Sequence, residues 1–589
     1  MMAKTSHRML RGLQLPRPLT LAMLVSGVIG GLTINPLYAQ QAPTAGSILQ
    51  SNKEPIAEPK PGPEIGIPPA PAPKPLKADP GLKVKVSAFV IHGNTVFSEA
   101  TLLPLISAQI GKELDFDALS EAANSVAVYY RSKGYFLAQA YLPAQQIKNG
   151  VVEITVLEGR VGEVKLNPDN KEWKLRLRES KARAILEAIQ PGDIINERSL
   201  ERGLLLLNDV PGAIVKSTLT PGTQVGTADT VVELSEDGKL VSGSAKLDNW
   251  GSRYTGEYRL GADLNINNPS GYGDVLSVNG LTSQRNGSPM GRLSYVVPLG
   301  SMGTKLGLSY SKLDYTLGKD FTYLLAHGKA EVGSAYVLHP FVRSRNFNVV
   351  GVLGVNKKKM QDLIDYQNST DTKSLRAYNI GFSGDLSDNV FGGSLNTFSL
   401  TFSGGKVDFQ TPIKFQDDQN SSVGYHTSGS YTKANYSYQR LQALVRNVSL
   451  YVALDGQTAS KDLTSSEQYS LGGPSAVRAY PVGEALCDEG LVTNAELRWN
   501  IPQTNFMVNS FVDYGHALLH KTPLASDVSK GTSNYRNLVG YGLGVNYGKP
   551  ENYLLRTSLA WRGNREANDP LADKSGSGSR LWLQFTKWF

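Results

Sequence analysis

Residues 490–500 read GLVTNAELRWN, and their alternation decides the fold. Successive side chains of a strand point to opposite faces. Leu491, Thr493, Ala495, Leu497 and Trp499 therefore share one side, and Val492, Asn494, Glu496 and Arg498 the other. All of the charge lies on the second side. Around Leu538 the pattern repeats, with Val539, Tyr541, Leu543 and Val545 opposite Gly540, Gly542, Gly544 and Asn546. Around Tyr553, Leu555, Thr557, Leu559 and Trp561 oppose Arg556, Ser558 and Arg562. Many strands of about ten residues, each greasy on one face and wet on the other, are the signature of a transmembrane β-barrel. A soluble sandwich also alternates, but it needs no aromatic residues at its strand ends. Here Trp499, Tyr514, Tyr541, Trp561, Trp582 and Trp588 make a candidate aromatic girdle.

From about Leu240 onward no helical periodicity remains, and the alternating segments number about sixteen, an even count as bacterial single-chain barrels require. The barrel is expected over residues 239–589. Its connections alternate in length. Those at 501–505 and 547–552 are tight, whereas 515–534, 564–579 and above all 457–489 are long, as short periplasmic turns and longer outer loops would be. The last strand, RLWLQFTKWF, puts Leu581, Leu583, Phe585 and Phe589 on one face, interrupted only by Lys587. Such an apolar free edge invites aggregation, so it is expected to close the sheet onto the first strand.

Upstream lie two small α+β units in tandem, at 83–160 and 161–238. In the first, VKVSAFVIHGN reads as a strand, Ser98 can cap a short helix, and Asp115 or Asp117 a longer one. That longer helix carries Leu119, Ala122, Val126 and Tyr130 at helical spacing. Strands YFLAQAYL from Tyr135 and VVEITVL from Val151 follow. The same order returns in the second unit: a strand from Val161, helices at 174–189 and 197–208, then AIVKSTLT and TVVELSE. Each sheet keeps an exposed edge.

The N-terminus reads as a secretory leader over 1–39, an apolar run from Leu19 to Leu32 behind Lys4, Arg8, Arg11 and Arg17. Residues 40–82 are an N-terminal segment and linker. Within it, 45–53 has weak helical character and is too short for a stable isolated helix, so disorder is expected there. Residues 55–80 are so rich in proline that an extended spacer is expected.

The chain has 589 residues, a formal net charge of +8 and 40% hydrophobic residues, with a mean hydropathy of −0.24. No basic block with interleaved aromatics stands out, so nucleic acid is not an expected partner. The single cysteine, Cys487, excludes an intramolecular disulfide and reads as a tolerated loop thiol. No phosphate loop, HExxH zinc motif or GxSxG elbow occurs, so neither a catalytic residue nor a cofactor is assigned. His516 and His520 have i, i+4 spacing but fall in an outer loop with no third ligand in sequence, and no metal site is assigned.

Several separated segments carry a family resemblance. LLLLNDVPGAIVKSTLTPGTQVGTADTVVEL (204–234) resembles the second periplasmic POTRA domain of two-partner secretion transporters, the TpsB family of haemolysin and adhesin exporters. LDNWGSRYTGEYRLGADLNINNPSGYGD (247–274) is similar to the start of that family's barrel, and SSEQYSLGGPSAVRAYPVGEALCDEG (465–490) to its long sixth outer loop. The resemblance implies that this loop folds back into the lumen and that the arginine of a Val-Arg-Gly-Tyr tip meets an aspartate in a Phe-x-Asp-x-Gly strand. The matching residues are Val477, Arg478 and Tyr480, with Ala479 in place of the glycine, and Phe511, Asp513 and Gly515. Alternation agrees, since Val508, Val512 and Tyr514 make a lipid face and turn Asp513 inward; Glu496, also inward, is a competing partner. Trp588 and Phe589 resemble the C-terminal signal for barrel insertion.

The resemblance implies an outer-membrane translocator of one large exoprotein, with periplasmic POTRA domains that recognise an unfolded passenger carrying an N-terminal secretion domain. It also implies a monomer in outer-membrane lipid, inserted by the barrel assembly machinery. The alternative within the superfamily is an insertase of other barrels, and from another class a passive porin; two POTRA-like units and a proline-rich tether favour export.

Overall fold

The computed structural model describes residues 42–52, 83–167, 173–236, 239–529, 533–549, 551–563 and 578–589. The leader, the proline-rich spacer and most of the connection at 564–579 lie outside the described residues.

Sixteen antiparallel strands, from Val241–Asp248 to Ser579–Trp588, form a closed barrel in chain order. Side-chain parity follows the alternation. In Glu489–Asn500, Ala495, Leu497 and Trp499 are exposed while Glu496 and Arg498 are buried; in Tyr535–Lys549, Leu538 and Gly540, Gly542 and Gly544 turn inward. The last strand pairs with the first from Gln584 opposite Asp248 to Trp588 opposite Ser244. Beyond that ladder, Phe589 and Gly243 exchange backbone hydrogen bonds of 3.1 and 3.2 Å, so the terminal residue finishes the closure. A Cβ on Gly243 would lie 2.6 Å from the Phe589 ring, which fits only because position 243 has no side chain.

The last strand departs from the expected girdle, since Trp582 and Trp588 share the parity opposite Leu581, Leu583 and Phe585. Trp582 is 3% exposed and points into the lumen, because Leu581 and Leu583 take the lipid face on either side of it. His516 is likewise not in a loop: it belongs to the strand Phe506–Leu518, where its Nδ1 lies 2.7 Å from Asn537 Oδ1.

Residues 45–51 are helical rather than disordered. Thr44 and Ser47 form a reciprocal capping box, and the helix Ala45–Ser51 buries Ala45 and Ile48 among Leu313, Tyr315 and Met360 of the inner barrel wall. Its length argued against an isolated helix, but the lumen supplies the tertiary contacts that stabilise it. The Ala45 N–H donates to Asp362 at 2.7 Å, Thr44 Oγ1 lies 2.7 Å from Ser465 Oγ, and Gln50 donates to the Ser466 carbonyl. The helix thus joins the barrel wall to the long loop.

In the first α+β unit, Val151–Leu157 is the central strand between Ala88–His92 and Gln139–Tyr141. The helix Phe116–Ser132 starts at Asp115, whose carboxylate caps the Ala118 N–H at 2.9 Å. The strand expected from Tyr135 is only Gln139–Tyr141. Tyr135 instead closes a turn after the helix and packs edge-on against Phe97 and Tyr130. Buried Glu158 accepts from Tyr130 Oη at 2.8 Å and from the N–H groups of Thr95 and Val96, tying sheet, helix and loop together. Burial first, and the neighbouring Glu158 second, push the Tyr130 phenol up from its ordinary value, so it stays a donor.

The second unit has Thr227–Glu236 in the centre, parallel to Arg160–Leu166 and antiparallel to Ala213–Pro221. Its first helix is Glu179–Leu186, shorter than the expected 174–189. The N–H groups of Arg176 and Leu177 are bound by the Glu236 carboxylate and cannot join a helix. The second, Glu197–Asn208, buries a leucine face from Leu204 to Leu207. This unit is fixed to the barrel: Arg343, at the end of a strand, makes a two-pronged pair with Asp209 at 2.8 and 2.7 Å, and Arg345 reaches Glu197 and Glu201.

Candidate functional site

The connection at 460–488 folds into the lumen as a small hairpin, Tyr469–Ser470 pairing with Leu486–Cys487. Apolar packing drives it there. Leu471, Val477, Ala479, Tyr480 and Cys487 are buried against Val492, Phe511, Ala517 and Leu538 of the barrel wall. Cys487 is therefore core packing rather than an accessible loop thiol, and burial pushes the thiol up from its ordinary value.

The wall accepts the loop where side chains are missing. A Cβ on Gly515 would sit 2.8 Å from Val477, and one on Gly540 2.9 Å from the Ala479 methyl. Ala479, which replaces the family glycine, is not among the residues with positive φ, so its backbone needs no glycine. Its methyl group fills the space that Gly540 leaves open.

Arg478 sits at the tip, 8% exposed. Its Nε and Nη2 donate to the two oxygens of Asp513 at 2.9 and 2.6 Å, and its backbone N–H adds a third bond at 3.0 Å. Nη1 donates to Glu496 at 2.6 Å, so the two carboxylates that competed on sequence share one guanidinium. The ring of Phe511 lies 3.4 Å from the guanidinium carbon, a cation–π contact that covers the remaining face. Glu496 also receives Arg498 Nε at 2.7 Å, which gives two cations and two anions in the cluster. Neutral balance and saturated hydrogen bonding are what make such a desolvated cluster tolerable.

Two contributors were not assigned to this site from the sequence. Asn494 bridges Asp513 and the Ala476 carbonyl at 2.8 and 2.9 Å, and Trp582 Nε1 donates to the Arg478 carbonyl at 2.7 Å. Inward parity marks both positions, although nothing in sequence tells which lumen residues the loop will meet. Farther up the loop, Glu467 pairs with Lys358 at 2.5 Å and Lys433 at 2.9 Å, from the strands Phe347–Ile364 and Gly429–Val445. Arg536 pairs with buried Glu484 at 2.8 Å. The loop is consequently pinned at both arms and at its tip. Tyr480 faces Arg562 at 5.3 Å. Trp588 and Phe589 lie at the closing seam, away from this site.

The arrangement ties the loop tip to the inner barrel wall by charge pairs, hydrogen bonds and packing. Residues 226–547 match the family described as haemolysin secretion/activation protein ShlB/FhaC/HecB, and residues 84–159 match the ShlB-type POTRA domain. The chain is 30% identical to the heme/hemopexin transporter protein HuxB of Haemophilus influenzae (strain ATCC 51907 / DSM 11121 / KW20 / Rd), over 98% of this chain and 99% of that one. It is 25% identical to the outer membrane transporter CdiB of Dickeya dadantii (strain 3937), over 76% and 79% of the two chains. Among solved structures, CdiB from Escherichia coli superposes with a TM-score of 0.69 at 19% identity, covering 88% of this chain and 93% of that one. With the model match spanning more than half of the residues, the chain belongs to the ShlB/FhaC/HecB haemolysin secretion/activation family of two-partner secretion transporters.

Proposed function

We propose that the protein exports one large exoprotein across the outer membrane, with its two α+β units in the periplasm receiving the passenger and the latched loop gating the lumen. The observation that carries this reading is the loop itself: a pore for small solutes needs no 29-residue arm (460–488) held by Arg478 across its interior. Among the described residues the strand Ala213–Pro221 pairs only with Thr227–Glu236, and its other edge is the one we assign to strand addition by an extended segment. Folding of the passenger outside supplies the direction of transport. The chain acts as a monomer, inserted by the barrel assembly machinery through the seam residues Trp588 and Phe589. HuxB, similar over its whole length, is named for heme and hemopexin, which makes an exoprotein that binds haem-carrying protein the passenger class to test first.

Depletion in the native host, followed by quantification of both the secreted and the outer-membrane proteins, tests the proposal. Loss of one large secreted protein with other barrels unchanged is expected. A general fall in barrel proteins would instead identify an insertase.

A further inference from the structure

At the outer rim, three side chains from three separate segments converge. Asp462 follows the strand Val448–Ala459, Asp488 immediately precedes Glu489–Asn500, and His520 follows Phe506–Leu518. Their ligand atoms all lie within 4.8 Å of one another. Asp462 is 3% exposed and Asp488 is fully buried. The backbone holds both carboxylates in place. Asp462 Oδ2 accepts from the Thr522 N–H at 3.0 Å, while Asp488 accepts from the N–H groups of Leu463 and Lys521 at 2.9 and 3.0 Å. The other oxygen of Asp462, Oδ1, is shielded from solvent yet receives no hydrogen bond. It lies 3.4 Å from Nδ1 of His520, whose ring is fixed by stacking on Tyr425 at 3.7 Å and 9°.

The neighbouring ammonium groups do not balance these anions. Lys461 Nζ donates to the Ser428 carbonyl at 2.6 Å, and Lys521 Nζ to Glu489 at 2.7 Å. Two buried carboxylates side by side, faced by the one imidazole of His520 at 3.4 Å, carry a large desolvation cost that a divalent cation compensates more fully than a single proton on the ring. We propose that Asp462, Asp488 and His520 bind one divalent metal ion of the zinc class, which staples the root of the long loop to the 519–534 connection. A nitrogen donor with two carboxylates suits such a borderline-soft ion, and a water completes a four-coordinate shell. Calcium and magnesium favour all-oxygen sets with more ligands. The staple would brace the outer arm of the loop while its inner tip, held by charge pairs and apolar packing with no metal, is released.

The test uses the full mature chain in detergent, stripped with a chelator and titrated with ZnCl2 against a chromophoric competitor, with elemental analysis for stoichiometry. One zinc per chain is expected, together with a higher unfolding temperature. His520→Ala and Asp462→Asn should each abolish stoichiometric binding, His516→Ala should not, and CaCl2 should not compete. Band mobility of unheated samples on gels checks that each variant retains its barrel. Absence of stoichiometric zinc, zinc binding that persists in folded His520→Ala and Asp462→Asn, or equal affinity for calcium would overturn the assignment.

Discussion

The carboxylate of Asp513 accepts three hydrogen bonds from one residue, Arg478: from Nε at 2.9 Å, from Nη2 at 2.6 Å and from the backbone N–H at 3.0 Å. Main chain and side chain are gripped together, so the aspartate fixes both where the loop tip sits and which way the arginine points. Removing one partner of a buried charge pair costs about 3–5 kcal/mol, because the other charge stays desolvated. Arg478→Asp should therefore abolish secretion, read as exoprotein in the culture medium. Adding Asp513→Arg should restore it in part only, because Glu496 would then face the new acid at the tip. No recovery at all in the double variant would count against a direct pairing.

Steric exclusion offers an independent route to the same latch. Gly540→Val would drive methyl groups into Ala479 and should cost about 1–3 kcal/mol as overpacking. Secretion should fall while the amount of folded barrel in the membrane stays near that of the parent. Equal secretion would show that the tip need not seat against this wall.

The lumen helix can be unseated without touching any charge. A Cβ on Gly46 would lie 2.5 Å from Ser465 Oγ and 2.6 Å from the Ser466 N–H, so Gly46→Val cannot dock in the observed position. Single-channel recordings in planar bilayers should show a higher mean conductance than the parent. An unchanged conductance would mean that the helix does not obstruct the pore.

Acid should loosen the second periplasmic unit. Asp229 accepts from Lys165 at 2.7 Å and from the Glu163 N–H at 2.8 Å, and these bonds, the lysine's first, hold its carboxyl below the ordinary 3.8. A carboxyl depressed in the folded state contributes stability that is complete above its unfolded pKa and disappears as pH falls through the folded one. Amide exchange over 160–236 in the intact chain should speed up below about pH 4 beyond the intrinsic pH effect. Asp229→Asn should flatten that dependence.

Deleting residues 83–235 separates export from passive conduction. Ion conductance should survive and secretion should vanish; continued secretion would remove the periplasmic units from the mechanism.

Much of the barrel was legible because a two-residue period, once matched to lipid and water, dictates the facing of every side chain. Asp513, Glu496 and the inward glycines at 540, 542 and 544 follow from it directly. Trp582 was misjudged for the opposite reason: aromatic character suggested an interfacial belt, while its parity between Leu581 and Leu583 already turned it inward. The helix Ala45–Ser51 could not be recovered from local propensity, since its stability resides in Leu313, Tyr315 and Met360, more than 260 positions away in the chain. Long-range juxtaposition likewise hid the environment of His520, whose acidic neighbours Asp462 and Asp488 arrive from the two ends of the reentrant loop.

Ala479 and Gly540 touch across the lumen, one methyl group filling the vacancy opposite it. Sequence drift at either position is thus constrained by the other. A relative that acquires a bulkier residue at 540 should revert to glycine at 479, and chimaeras that exchange the loop between relatives without exchanging the facing strand should inherit a mismatched joint.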